Sequence, residues 1–514
     1  MASPHREQRY SRLPVLLLMS AASGVLLFVG FPPVDMGPVA WVALVPLLVA
    51  LSQTRTAGHS GACGLVFGLV FHGLYFQFLF KYGTLPWLAT TAYQALYPLM
   101  FGVVARAVLV AESPAWRVFG AASAWTLVAY LRSYGTPIPF SGGDLAYSQY
   151  DQLSLVQMVS IVGQLGMTYV IAAVNVALSQ ALLARLSPQL IGPATDKRAW
   201  ARRSAVVAVV CYGTLIAAHI AGGLALKMRQ APTGRELEVA IVQGNVSFDT
   251  PTTPQNVQTA RTTYEELSRT VAGNADLMIW PESAIPVYLQ DYPQFMQELA
   301  QQARRSDGYM LIGGMETLQG KYYNSALLYD REGTIVDRYH KMDLVVFGEY
   351  VPLRDRLPFL SRYPIRRHDL TPGRERKTFQ VEGLKVAPLI CFEGMFSRPA
   401  RQACRLGAQI IAIITSDSWA VGTIEVTQHS NTAPLRAVES RRYVCRAASS
   451  GVSAVYSPYG EPLAMVPEHT AGVLSETVYA RSSLSMYHRI GDMPLVIVCL
   501  VVFSLACFSQ RKGR

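Results

Sequence analysis

The stretch Leu384-Lys385-Val386-Ala387-Pro388-Leu389-Ile390-Cys391-Phe392-Glu393 decides how this chain is read. It is a short, nearly continuous apolar run that ends in a thiol and then a carboxylate. Such a run predicts a strand covered on both faces, the kind found in sheets flanked by other layers. In α/β sheets the residues just past strand C-termini converge at one edge, where ligands bind. Two further runs end the same way. Asp276-Leu277-Met278-Ile279-Trp280-Pro281 leads to Glu282, and the strand Thr334–Tyr339 is followed by His340 and Lys341. A carboxylate, an ammonium and a thiol are thus expected to meet.

That trio suits acyl transfer. A thiol attacks poorly until it is deprotonated. Glu282 is placed to take its proton as general base. The sulfur then attacks a carbonyl and forms a thioester. Lys341, with a backbone N–H near Cys391, stabilises the oxyanion of the tetrahedral intermediate.

Around these runs the segment 228–490 alternates strands and helices. Further strands are expected at Leu237–Gln243, Tyr309–Gly313, Ser325–Tyr329, Gln409–Thr415 and Val452–Ser457. Helices are expected at Thr253–Ala272, Pro293–Arg305, Ser397–Leu406 and Gln428–Arg442. The pattern predicts a mixed sheet covered by helices.

The rest of the chain has another character. Of 514 residues only 15% are charged, against about 25% in soluble globular proteins. The apolar share is 51% and the mean hydropathy is +0.23. These values exclude a disordered chain, a coiled coil and an ordinary soluble enzyme. Apolar stretches fall at roughly 12–30, 38–53, 61–80, 87–111, 117–133, 157–184, 204–226 and 492–508, near the ~20 residues a bilayer crossing needs. The first follows basic residues, as a signal peptide does, but close successors favour an uncleaved anchor. About eight transmembrane helices are expected: seven in 1–227 and one in 491–514.

The net charge of +11 comes from 45 basic and 34 acidic residues. The cluster Lys197, Arg198, Arg202, Arg203 lies between apolar stretches, which points to a membrane surface rather than nucleic acid. With Arg6, Arg9 and Arg12 at one end and Arg511, Lys512 and Arg514 at the other, it places both termini in the cytoplasm and 228–490 on the outer side. Seven cysteines without CxxC spacing make neither a disulfide framework nor a zinc site. Cys404 and Cys445 read as structural, and so does His429. His72 lies in an apolar stretch, where a bundle hydrogen bond explains it as well as function does. No cofactor is implied, because there is no phosphate loop, metal-ligand cluster or dinucleotide fingerprint.

The motifs WPES at 280–283, HKxxLVVFGEYVP at 340–352 and LICFEGMF at 389–396 resemble the Glu–Lys–Cys motifs of the nitrilase, or carbon–nitrogen hydrolase, superfamily. With the apolar stretches, including GFPPVDMGPVAWVALVPLL at 30–48 and FGLVFHGLYF at 67–76, the chain is similar to the bacterial apolipoprotein N-acyltransferases. SDSW at 416–419 and QHSNTAPLRAVESRR at 428–442 extend the likeness. The resemblance implies an α/β nitrilase-like αββα sandwich beside an α-helical membrane bundle. It implies an extracytoplasmic catalytic domain, in the periplasm, on the bacterial inner membrane.

It also implies a ping-pong reaction. An acyl chain passes from a phospholipid, phosphatidylethanolamine being the usual donor, to Cys391. From there it moves to the α-amino group of diacylglyceryl-cysteine in an apolipoprotein. By motif, Glu282, Lys341 and Cys391 are the catalytic triad, and Glu349, Glu393 and Trp419 are supporting residues. The chain departs from the family in carrying Phe392 for Tyr, Ser416 for Asn, Ala420 for Phe and Ala129 for Glu. A membrane-anchored nitrilase or amidase using the same thioester is the competing enzyme. A transporter or scaffold with an inert domain is the non-catalytic alternative, and it predicts loss of a triad member. The long stretch 343–373, with apolar Leu344, Val345, Val346, Phe347, Leu357, Phe359 and Leu360, reads either as a lid whose apolar residues, Phe347 and Phe359 among them, admit acyl chains or as ordinary packing under the domain.

Overall fold

The computed structural model describes residues 13–509 except 112, 187–196, 230, 247–252, 353, 355 and 357–367. The terminal basic residues Arg6, Arg9, Arg12, Arg511, Lys512 and Arg514, and Leu357, Phe359 and Leu360 of the expected lid, lie outside the described residues. The chain divides into two units, Met1–Met228 with Ile490–Arg514, and Arg229–Arg489.

The first unit is helical: α1 (Leu13–Val29), α2 (Val45–Gln53), α3 (Ala57–Tyr75), α4 (Thr84–Leu109), α5 (Pro114–Tyr134), α6 (Leu153–Val156), α7 (Val159–Leu186), α8 (Lys197–Lys227) and a C-terminal helix Met493–Ser509. Among the described residues four helices, within α3, α4, α7 and α8, are long and apolar enough to cross a membrane. Leu13–Val29, Gly37–Gln53 and Met493–Ser509 are apolar but shorter. The Gly37–Gln53 stretch is not one helix. A 3₁₀ turn, Gly37–Trp41, precedes α2, and Pro38 and Pro46 each remove a backbone donor. Asn175 of α7 bridges the break, donating to the Ala40 carbonyl at 2.9 Å and accepting from the Leu44 amide at 2.9 Å.

Helices α3 and α4 pack closely because α3 offers Gly64 and Gly68, one turn apart. A Cβ on Gly64 would fall 2.1 Å from the Pro98 carbonyl oxygen, so only glycine lets the backbones approach. On α8 the apolar Val206, Val209, Ile216 and Ile220 are all more than half exposed. An apolar face of that extent suits lipid, not water.

Among the described residues the second unit holds twelve strands in two six-stranded sheets. They are β1 (Glu236–Gln243), β2 (Leu277–Ile279), β3 (Tyr309–Leu318), β4 (Lys321–Tyr329), β5 (Ile335–His340), β6 (Phe379–Val381), β7 (Leu384–Ile390), β8 (Ile410–Thr415), β9 (Tyr443–Ala448), β10 (Ser453–Tyr456), β11 (Pro462–Val466) and β12 (Gly472–Tyr479). One sheet runs β12-β1-β2-β3-β4-β5 and the other β11-β10-β9-β8-β7-β6. Strands β1, β2 and β3 are parallel to one another, as are β7, β8 and β9. The first and last strands close on each other, antiparallel from Glu236↔Tyr479 to Gln243↔Gly472.

Both sheets present alternate residues to a shared core, among them Val239, Ile279 and Leu328 from one and Ile390, Ile414 and Val455 from the other. Helices α9 (Pro254–Arg269) and α10 (Pro293–Ser306) cover the outer face of the first sheet through Tyr264 and Leu299. Helix α11 (Ser397–Arg405) and a later helix cover the second through Ala403 and Ala437. The layers are therefore helix, sheet, sheet, helix.

The expected helix Gln428–Arg442 is two pieces, α12 (Glu425–Ser430) and α13 (Ala433–Ser440), the second with Pro434 in its first turn, where a missing N–H suits a helix start. Four strands, β6, β9, β11 and β12, were not expected from the sequence. β9, Tyr443-Val-Cys-Arg-Ala-Ala, hides because Arg446 interrupts its apolar run. That arginine is buried with Asp417 as its ion partner, Nη2 to Oδ2 at 2.8 Å.

Candidate active site

Glu282 follows β2 through Trp280 and Pro281, and its carboxylate is buried. The chain can turn there because Gly313 of β3 lies alongside. A Cβ on Gly313 would meet the Pro281 oxygen at 2.4 Å and the Glu282 Cα at 2.5 Å. Glu282 Oε1 accepts from Asn324 Nδ2 at 2.6 Å and from Lys341 Nζ at 3.4 Å. Its Oε2 accepts from the Ser416 backbone amide at 2.7 Å.

Lys341 follows β5, and its amide donates to the Asn324 carbonyl at 2.8 Å, continuing the ladder. The ammonium is 1% exposed. It lies 3.0 Å from Glu349 Oε2 and 3.4 Å from Glu282 Oε1. Burial alone would push this ammonium down, but the Glu349 and Glu282 carboxylates outweigh it and hold the group well above its ordinary value. Burial raises the Glu349 carboxyl, but Lys341 and the amide of Val345, 2.8 Å from Oε2, bring it below its ordinary value. The structure thus brings Glu349 to the Lys341 ammonium.

Asn324 was not anticipated. Its single Nδ2 donates to both carboxylates, to Glu282 at 2.6 Å and to Glu349 at 2.9 Å. An asparagine inside a strand carries no distinctive local signal, and only its cross-strand position opposite the Lys341 segment exposes the role.

Cys391 follows β7 and opens a 3₁₀ turn, Cys391–Met395, with φ of +51°. This left-handed conformation is uncommon for a side chain with a Cβ and collects at functional sites. Burial pushes the thiol well up. Glu282 adds to this, Lys341 pulls it back, Asp417 raises it and a hydrogen bond from Thr415 lowers it. The thiol is therefore within electrostatic reach of both Glu282 and Lys341.

Glu393 is fully buried and does not touch the ammonium. Its Oε1 accepts from the amides of Met342 and Asp343 at 2.8 and 3.2 Å, from the Tyr339 hydroxyl at 2.7 Å and from Arg376 Nη1 at 2.6 Å. Its Oε2 accepts from the Ile390 amide at 2.8 Å. It ties the Cys391 turn to the backbone that carries Lys341. Trp419 lies half-buried on the 3₁₀ turn Ser418–Ala420, downstream of Ser416. In the expected lid segment, Phe347 is exposed with φ of +63°, on a turn closed by the Glu349 amide to the Val345 carbonyl at 2.8 Å.

Behind Ser416, Asp417, Glu425 and His429 bring ligand atoms within 4.8 Å of one another. Asp417 Oδ1 lies 2.9 Å from His429 Nδ1, and Oδ2 lies 2.8 Å from Arg446 Nη2. A guanidinium on that carboxylate repels a second cation, so the group reads as a buried ion-pair network.

Two family models match the chain: the apolipoprotein N-acyltransferase N-terminal domain over residues 23–177 and the carbon-nitrogen hydrolase over 238–486. An apolipoprotein N-acyltransferase from Geobacter metallireducens is 30% identical over 96% of this chain and 93% of its own length. One from Photobacterium profundum is 25% identical over 97% and 96%. Among solved structures, a mutant amidase from Nesterenkonia sp. AN1 is 18% identical with a TM-score of 0.40, covering 52% of this chain and 98% of its own. Near-full-length similarity, a helical unit matching one model and a two-sheet unit matching the other lead to one conclusion: this chain belongs to the apolipoprotein N-acyltransferase family.

Proposed function

We propose that the chain transfers an acyl group from a phospholipid, through a thioester on Cys391, to the N-terminal amino group of diacylglyceryl-cysteine in apolipoproteins. The observation that carries the site assignment is the buried Lys341 ammonium held between Glu282 and Glu349 beside a buried thiol.

The thiol rests protonated, so its proton leaves as the sulfur attacks. Among the described residues Glu282 Oε1 takes two donors and Oε2 takes one, the Ser416 amide, which leaves Oε2 the better proton acceptor. Lys341 stabilises the oxyanion, aided by a backbone N–H near Cys391. Glu349 keeps the ammonium charged while Glu282 is neutral. The lysophospholipid oxygen leaves with the proton from Glu282. In the second half, the carboxylate takes a proton from the attacking amine, and the thiol is regenerated. Glu393 acts through structure, fixing the spacing between Cys391 and Lys341, and Trp419 shapes the acyl pocket.

The donor is phosphatidylethanolamine in this reading. Eight helices cross the bacterial inner membrane, both termini are cytoplasmic, and residues 228–490 form a periplasmic domain flanked by 1–227 and 491–514. A membrane-anchored amidase would share the thioester but pass the acyl group to water. The match of residues 23–177 to the acyltransferase N-terminal model favours transfer.

Radiolabelled phosphatidylethanolamine supplied to the purified protein tests this. A hydroxylamine-labile label on Cys391 that chases onto a diacylated lipopeptide is the expected result. Label released only as free fatty acid supports the amidase, and no label on Cys391 overturns the thioester.

A further inference from the structure

Thr415 ends β8 and is fully buried. The parallel register runs to Ile390 opposite Ile414, the residues just before Cys391 and Thr415, so these two lie at adjacent strand ends. There the Thr415 hydroxyl is near enough to the sulfur to pull the thiol down. The same hydroxyl reaches Asp417 Oδ1 at 3.2 Å. A hydroxyl carries one proton and can donate to only one of these acceptors at a time. Asp417 does not depend on it, because His429 Nδ1 and Arg446 Nη2 already supply its two oxygens at 2.9 and 2.8 Å.

We infer that Thr415 is a further catalytic residue, a rotating donor that stabilises the Cys391 thiolate as it forms, and that Asp417, His429 and Arg446 are positioning residues that leave its proton free to turn. The inference rests on the role proposed above for Cys391. The proton balance is simple. The S–H bond breaks and its proton passes to the Glu282 carboxylate. The Thr415 O–H bond stays intact and exchanges Asp417 for sulfur as acceptor. When the thioester forms and sulfur loses its charge, the hydroxyl returns to Asp417. A donor fixed on sulfur would also make a poorer nucleophile, since nucleophilicity falls as the thiol becomes more acidic. Among the described residues, the charged groups facing Cys391 are Glu282, Lys341 and Asp417, and those facing Asp417 are Arg446 on β9 with His429 and Glu425 on α12.

The test is the rate of Cys391 alkylation by iodoacetamide on the full chain, read on the Cys391 peptide by mass spectrometry across pH 7–10. Below the thiol midpoint this rate follows the thiolate fraction. Thr415→Val is expected to slow it about tenfold at each pH, the equivalent of one unit, and Thr415→Ser to restore it. His429→Ala, which strips a donor from Asp417 and draws the hydroxyl back, is expected to slow wild-type alkylation but to add nothing in the Thr415→Val background. A thermal melt checks folding, and Thr415→Ala carries the same test if the valine variant does not fold. An unchanged rate in the hydroxyl-free variant, failure of serine to restore it, or additive slowing by His429→Ala overturns the inference. Failure of the wild-type chain to take label from phospholipid would sink the acyltransfer reading and leave these alkylation results standing.

Discussion

At the scale of single residues, the two carboxylates around Lys341 have different proposed tasks, and their replacement should separate them. Lys341→Ala removes the proposed oxyanion partner and is expected to slow acyl-enzyme formation about 100- to 1000-fold in single-turnover labelling. Cys391→Ser is expected to abolish the hydroxylamine-labile label, because a hydroxyl lacks the acidity of a thiol. Glu349→Gln leaves Glu282 as the one carboxylate ion-paired with the ammonium among the described residues and draws Lys341 toward the proposed base. A loss of about 10- to 100-fold is expected, the scale of one charge-assisted hydrogen bond. A rate within twofold of wild type would remove Glu349 from the machinery. Glu425 carries a pH signature. Burial raises its carboxyl to about 7, with His429 pulling it back, Asp417 raising it and Arg446 lowering it. Unfolded, it titrates near ~4.3. Between these values the folded state holds a proton that the unfolded chain has released, so stability is lost as pH rises from about 4.3 to 7. Glu425→Gln should therefore raise the melting temperature by a few degrees at pH 8 and leave it unchanged at pH 4, and equal melts at both values would refute it.

At the scale of elements, strand ends explain why the site was legible. Glu282 and Cys391 each follow a strand that the sequence marks with a compact apolar run, and Lys341 follows the mixed strand Ile335–His340. Asn324 sits inside β4 with no such mark, and the Asp417–Arg446 pair depends on β9, a strand hidden by its own buried arginine. Both are visible only once strands are paired, since each acts across a ladder rather than along the chain. Packing also ties β3 to the site. Gly313→Ala would drive a Cβ into the Glu282 backbone and is expected to cut acyl-enzyme formation by at least tenfold and lower the melting temperature. Full activity would show that the Glu282 turn can shift without cost. On the turn after Lys341, Phe347 is apolar, exposed and held at positive φ. Phe347→Ser should reduce acylation from vesicle phospholipid while sparing a water-soluble ester donor, and equal loss with both donors would deny it a role in lipid access.

At the scale of the whole molecule, composition distinguishes an apolar part from a charged part, and the structure has two units with boundaries near residues 228 and 490. Helix existence was readable because a bilayer-facing surface must be apolar, as the exposed valines and isoleucines of α8 are. Helix continuity was less readable, because the break before α2 is repaired by Asn175, more than a hundred residues away. The antiparallel closure of β1 on β12 has a consequence for synthesis. The strand that leaves the ribosome first in this unit keeps one flank bare until more than two hundred further residues have been made. During that interval it offers unpaired amides and carbonyls to any neighbouring polypeptide. Truncation just short of Gly472 should therefore yield clumping rather than a merely weakened enzyme, with β12 acting as the clasp that makes the product safe.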